Sequence, residues 1–144
     1  MECGTLEIWK RLSEFPDYSV SNLGRIRSED RIVEYVDGRK NHVKQKIIKG
    51  GITKSTERGL RYSIVVLAKE KTKHTKLIHL LVAETFIGKR PKGKEVNHKD
   101  GDKQNNAVSN LEWITHSANI KHSVDTGLRV WFAYGSKRRR NPNA

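Results

Sequence analysis

The chain has 144 residues, 35% of them hydrophobic and 31% charged, with 29 Lys and Arg against 16 Asp and Glu and a net charge of +13. Such a chain can bury one modest core, as one domain or two small modules sharing it, and its charge points to a polyanion, most directly nucleic acid, with a merely soluble basic protein as the rival. A lone cysteine, Cys3, excludes a disulfide framework and a Cys-based zinc site. No apolar run is long enough to span a membrane, and the start MECGTLEIWK lacks the apolar stretch of a signal peptide, so the expected compartment is the cytoplasm.

In chain order, Ile8, Trp9 and Leu12 are apolar anchors, and Phe15-Pro16-Asp17-Tyr18 reads as a turn. Residues 18–21 alternate like a strand, Asn22-Leu23-Gly24 is a tight-turn signal, and a second strand follows with Arg25 and Arg27 on one face. That hairpin either tracks phosphates or is an ordinary solvated basic surface. Residues 31–36 continue as strand, Asp37-Gly38 is a hairpin-turn dipeptide, and Gly50-Gly51 interrupts a run of lysines and isoleucines. YSIVVL at 62–67 reads as a buried strand and residues 69–76 as a basic loop. HLLVAETFI at 79–87 changes to helical period and is stopped by Gly88 and Pro91. His79, just before it, is either a cap, a partner in a site or a structural residue. A basic link follows, with Lys89, Arg90, Lys92 and Lys94.

Residues 5–28 resemble the small N-terminal module joined to phage and bacterial HNH homing endonucleases. The resemblance rests on Glu7, Trp9, Lys10, Pro16, Tyr18, Val20, Ser21, Asn22, Gly24, Arg25, Ile26 and Ser28. It implies an accessory module that contacts nucleic acid.

The stretch with most chemical content is 95–125, which reads strand, polar loop, strand, helix. Hydrolysis of a phosphodiester needs a base for water, a cation for the charge on phosphate and help for the leaving oxygen. His98 is the natural base, because its imidazole is available in neutral form near pH 7. Asn119 on the helix can offer a ligand oxygen to a hard cation, and His122 shares its helix face. Asn97 alternates to the opposite strand face from His98, so both serve one site only if a twist, a bulge or the strand end re-aims one of them. Asn110 can bond the backbone and hold His98 in place. The loop DGDKQNN looks calcium-like but lacks the closing Glu of the twelve-residue calcium pattern.

VNHKDGDKQNNAVSNLEWITHSANIKH resembles the HNH, or ββα-metal, nuclease motif of phage intron-encoded and free-standing homing endonucleases, and HLLVAETFI resembles that family's lead-in helix. The resemblance implies His98 as general base, Asn110 as a structural residue orienting loop and base, and Asn119 as a metal ligand. It places Asn97 as the other ligand, where an Asp would bring a charge that Asn lacks. His122 would assist at the leaving group or a phosphate. Asp100, Asp102 and Asn105 are expected as loop formers and Trp113 as core packing. Rings at Trp131, Phe132 and Tyr134 precede a basic tail with Arg138, Arg139 and Arg140, read as an arm along phosphates or a solvated end.

The expected fold is α+β, with small antiparallel strands and hairpins around a ββα-metal core. The expected modules are 1–50 (accessory, DNA-binding), 51–127 (nuclease, with its lead-in strand and helix) and 128–144 (basic arm). The expected function is hydrolysis of double-stranded DNA with one Mg²⁺ or Mn²⁺ per site, by a monomer or weak homodimer in a bacterial or phage-infected cell, with no membrane partner. Lys121 joins Arg25, Arg27 and the basic link and tail as expected DNA contacts. The rivals are a non-catalytic DNA-binding protein that retains the fold, and a protein directed to RNA.

Overall fold

The computed structural model describes residues 4–54 and 60–127, so the expectations for Cys3, for the rings at 131–134 and for Arg138, Arg139 and Arg140 lie outside the described residues. Trp9–Arg11 (β1), Tyr18–Ser21 (β2) and Ile26–Ser28 (β3) form an antiparallel meander. Arg31–Glu34 (β4) and Lys40–Val43 (β5) leave it as a separate hairpin, turned at Asp37-Gly38 as expected. Lys46–Ile48 (β6) returns to pair with β3, giving a four-stranded order β1-β2-β3-β6. The alternation read at 18–21 is hidden, because all four residues of β2 are buried. A central strand has neighbours on both edges, and Tyr18 and Val20 enter the core while small Ser19 and Ser21 fill the other side.

Gly51–Ile52 (β7), Ser63–Lys69 (β8) and Thr72–Leu77 (β9) make a second sheet, in that order. Here two expectations are corrected. Residues 62–67 are not a wholly buried strand: Val65 and Leu67 are inside, while Val66 faces out and is half exposed. Residues 69–76 are mostly not a loop, since β9 pairs with β8 from Leu77 back to Thr72. Their turn is Glu70-Lys71, both at positive φ (50° and 64°), and this pair carries no Gly or Asn to announce a hairpin. Gly50 is needed before β7 because a Cβ there would meet the Ile64 carbonyl oxygen at 2.7 Å.

Residues 78–87 form the expected buried helical segment, but in two parts. Ile78–Val82 (α1) is α-helical, and Ala83–Ile87 widens to a π turn closed by the Gly88 N–H on the Ala83 carbonyl at 3.0 Å. The wider turn brings Phe86 onto the core side, five residues after Leu81. Lys94–His98 (β10) and Leu111–Thr115 (β11) pair as a hairpin, and His116–Asp125 (α2) follows, N-capped by Thr115.

One apolar cluster joins these parts. Leu12, Phe15, Tyr18, Val20 and Ile26 come from the N-terminal segment, Val65 and Leu67 from β8, Ile78, Leu81 and Val82 from α1, and Leu111 from β11. The cluster therefore draws on both sides of the boundary expected at residue 50. The Tyr18 hydroxyl reinforces this by accepting the Ala68 N–H at 3.0 Å across 50 residues of sequence. Leu67, with no exposed surface, sits where these elements meet. Leu67→Ala should destabilise the protein by about 2–5 kcal/mol in urea denaturation, through lost burial and a residual cavity. A single unfolding transition should persist, monitored by both tryptophan fluorescence and circular dichroism; two separated transitions would contradict a shared core.

Candidate functional site

β10 and β11 pair in regular register, Lys94 opposite Thr115 through His98 opposite Leu111. Cross-strand partners share a face. One face therefore carries Val96, His98, Leu111 and Trp113, and the other Glu95, Asn97, Glu112 and Ile114. No bulge re-aims either member of the Asn97–His98 pair. The first face meets the core, with Val96 packed against the apolar cluster. The second meets α2, where Asn119 donates to the Glu95 carboxylate.

His98 is 1% exposed. Its Nε2 lies 3.0 Å from the Asn106 Oδ1, and Asn106 Nδ2 donates to the Gln104 carbonyl at 3.3 Å. That network assigns the ring proton to Nε2, leaving the lone pair on Nδ1. Nδ1 is buried with no hydrogen-bond partner among the described residues. Burial pushes the His98 pKa below its usual value, only partly opposed by the bond to Asn106, so the ring is neutral at pH 7. The His79 ring stands edge-on to it at 5.2 Å, and Tyr62 lies 5.4 Å beyond. Burial, with the nearby charges of His98 and Lys103, drives the His79 pKa from 6.5 to about 4. His79 thus lies inside α1, against the His98 ring, and is not a helix cap.

The loop between the strands is held by Asp100. Its carboxylate accepts the Asn105 Nδ2 at 2.7 Å, the Asn110 Nδ2 at 2.9 Å and the Asp102 N–H at 2.8 Å. Asn110 also accepts the Asp100 N–H at 3.0 Å and donates to the Asn105 carbonyl at 2.9 Å. Asn110 therefore orients the loop, as expected, and Asp100, Asp102 and Asn105 are loop formers. The side chain that touches His98, however, is Asn106, not Asn110. Trp113 is half-buried and donates to the Gly88 carbonyl at 3.1 Å, tying β11 to the end of the π turn.

On the α2 side, each amide expected as a ligand meets a carboxylate. Asn97 donates to Glu112 at 2.9 Å, and Asn119 to Glu95. Burial alone would raise the Glu95 carboxyl, but hydrogen bonds from Asn119 and His116 outweigh it and hold the pKa below the ordinary range. These are oxygen donors of the kind a hard divalent cation takes. Among the described residues no three His, Cys, Asp or Glu gather as a ready-made metal site. Lys103, with a pKa lowered by burial, interacts electrostatically with Glu95 and Asp100 and also with His98 and His79. His122 lies one turn after Asn119 on α2.

Asn106, Glu95, Glu112 and Lys103 were not singled out from the sequence. For Glu95 a signal existed: it stands two residues before Asn97 and so shares its face. Glu112 needed the cross-strand register, and Asn106 needed the loop's shape.

The expected DNA contacts are differently placed. Arg27 lies 4.4 Å and Arg25 5.6 Å from the Trp9 ring, on one outer face as expected. Both are already paired, Arg25 with Glu7 through Nε at 2.8 Å and Arg27 with Glu29 at 2.9 Å. The Arg25 hydrogen bond lowers the Glu7 pKa to about 2. Lys89, Arg90, Lys92 and Lys121 are exposed and Lys94 is partly buried, with Arg90 donating to the Lys94 carbonyl at 2.6 Å.

Comparison with known proteins gives this arrangement a family. The HNH endonuclease family model matches residues 76–121, and the NUMOD4 motif matches residues 7–64. A solved structure of the HNH homing endonuclease I-HmuI, described as showing DNA binding and cleavage, superposes with a TM-score of 0.65 at 30% identity, over 93% of this chain and 68% of that one. The chain belongs to the HNH endonuclease family. Its sequence is 31% identical to I-HmuI of Bacillus phage SP01 over 83% of the chain, and 36% identical to an uncharacterized HNH endonuclease of Acanthamoeba polyphaga mimivirus over 86%. It spans 59% of the phage enzyme's length and 32% of the mimivirus protein's.

The buried histidines make stability depend on pH. His79 is a base whose folded pKa lies below its unfolded value of 6.5, so the unfolded chain takes up its proton first. Stability should be full above pH 6.5 and fall between 6.5 and about 4, with His98 acting in the same direction. The His79 share approaches roughly 3 kcal/mol. Urea melts at pH 7.5 and 4.5 should show this loss, reduced in His79→Phe; an equal loss in that variant would contradict it.

Proposed function

We propose that the chain is a divalent-cation-dependent DNA endonuclease that hydrolyses phosphodiester bonds in double-stranded DNA at the end of the β10–β11 hairpin. The observation that carries this reading is His98: a neutral, buried imidazole with its lone pair on an unpartnered Nδ1, inside a chain of the HNH family. His98 accepts the proton of a water that attacks phosphorus. The P–O3′ bond breaks, leaving 5′-phosphate and 3′-hydroxyl ends, with a proton delivered to the departing oxygen. Nδ1 is buried, so this reading requires that water and substrate gain access to it.

The donor chemistry fits Mg²⁺ or Mn²⁺. Asn97 and Asn119 would hold the cation through amide oxygens, with Glu112 and Glu95 beside them supplying the negative charge that an Asn at position 97 lacks. Such a cation, when bound, stabilises charge on the phosphate and the leaving oxygen. His122 assists at a phosphate or the leaving group. Lys89, Arg90, Lys92, Lys94 and Lys121 contact the DNA backbone. Residues 1–50, with Arg25 and Arg27, act as an accessory DNA module, 51–127 as the nuclease unit and 128–144 as a basic arm. One site per chain cuts one strand, so a double-strand break takes two chains or two events.

A non-catalytic DNA-binding protein is the second reading, favoured by the cover over His98. The two separate in a supercoiled-plasmid assay. Nicking should require Mg²⁺ or Mn²⁺, stop with EDTA, and fall about 10²-fold or more in His98→Ala. Nicking unchanged by that substitution would remove His98 from the chemistry.

Asn97→Asp tests the donor set without using activity. It sets a carboxylate against Glu112 in a site 1% exposed. Without cation the variant should lose about 2–3 kcal/mol, and millimolar Mn²⁺ should restore more of its melting temperature than it adds to wild type. Equal Mn²⁺ effects on both proteins would rule out that face.

A further inference from the structure

We propose that the Asn22-Leu23-Gly24 turn of the N-terminal segment is a positioning element for His98, acting through Asn106. The inference rests on the reading of His98 as the base.

The contact runs in three steps. Gly24 packs directly on Asn106: a Cβ built at Gly24 would lie 2.9 Å from the Asn106 Cβ and 3.0 Å from its carbonyl oxygen. No side chain fits there, and Gly24 also stands at φ +84°, where L residues are strained. One residue pair further on, the Val108 N–H donates to the Asn22 carbonyl at 2.9 Å, so the turn grips the loop on both sides of Ala107. Asn106, thus seated and 5% exposed, holds His98 Nε2 at 3.0 Å.

The turn is itself fixed from behind. Asn22 Oδ1 accepts the Ile8 N–H at 2.8 Å, and its Nδ2 donates to the Leu6 carbonyl at 3.0 Å. Ser21 Oγ accepts the N–H groups of Leu23 and Arg25 at 3.2 and 3.0 Å. The backbone that presents Arg25 beside Trp9 is therefore the backbone that seats Asn106. A displacement of the N-terminal segment reaches the His98 tautomer through one rigid turn and one amide. The Asp100 network fixes the loop's own shape, while the hydrogen bond at the His98 ring comes from Asn106. The turn supplies the second support, from outside the HNH motif.

The test is a double-mutant cycle in the full chain with Gly24→Ala, Asn106→Ala and the pair. Single-turnover nicking rates are measured with saturating Mg²⁺, DNA affinity by anisotropy, and the His98 ring nitrogens by NMR. Gly24→Ala should slow nicking about tenfold or more while Kd stays within about twofold. The pair should be no slower than Asn106→Ala alone, because both changes act through one amide. The His98 signals should leave the Nε2–H pattern in all three variants. Multiplicative rate losses, a loss traced wholly to Kd, or unchanged His98 signals would each overturn the proposal. If wild type cleaves no DNA, the functional reading fails, and the NMR comparison alone still decides the positioning claim. Gly24→Asn, which tolerates positive φ but carries the same Cβ, replaces Gly24→Ala should that variant lose its melting transition. Loss of the transition in both places the turn's role in the fold and overturns the inference.

Discussion

The loop from Lys99 to Ser109 has little apolar surface with which to hold itself, yet it must cover a buried imidazole. Its shape depends on one carboxylate. Hydrogen bonds to an ionised group are the stronger ones, and Asp100 collects them from Asn105, Asn110 and the Asp102 backbone. Those bonds also lower its own pKa, the contact with Asn105 foremost. With the loop set, Asn106 meets His98, Asn110 donates to the Asn105 carbonyl, and Val108 reaches the N-terminal turn. Without it, the hairpin would keep its strands and lose the geometry at its end.

The second constraint is the pleat. A regular strand sends Asn97 and His98 to opposite sides, and the register shows no departure from regularity. The fold uses the division. The core side is apolar and desolvating, which keeps two histidines neutral. The helix side is rich in oxygen, with each amide matched to a carboxylate. The two faces of one hairpin thus offer different dielectric environments, apolar around His98 and oxygen-rich around Asn97 and Asn119.

Much of this was legible from residues alone. The strand–loop–strand–helix order at 95–125, the turn at Gly24, the hairpin at Asp37-Gly38 and the helical segment stopped at Gly88 each carry a local signal in periodicity or turn chemistry. The family resemblance added the expectations for His98, Asn110 and Asn119. What stayed hidden was non-local or atypical. The Glu70-Lys71 turn uses positive φ without Gly or Asn, so β9 read as loop. Val66 is as apolar as Val65, so only the sheet's packing reveals which faces water. Asn106 looks like one more polar loop residue until Gly24 and His98 are placed on either side of it. The pairing of Arg25 and Arg27 with Glu7 and Glu29 required the fold of the outer sheet face.

The N-terminal segment and the HNH hairpin form one body, joined at the loop from Lys99 to Ser109. The Val108 amide, bonded to the Asn22 carbonyl, reports on that joint. Native-state hydrogen exchange of this amide measures how firmly it holds. Val108 should exchange only with global unfolding, at the same free energy as the amides of Val65 and Leu67 in the core. Exchange at a much lower free energy, while those core amides remain protected, would contradict it.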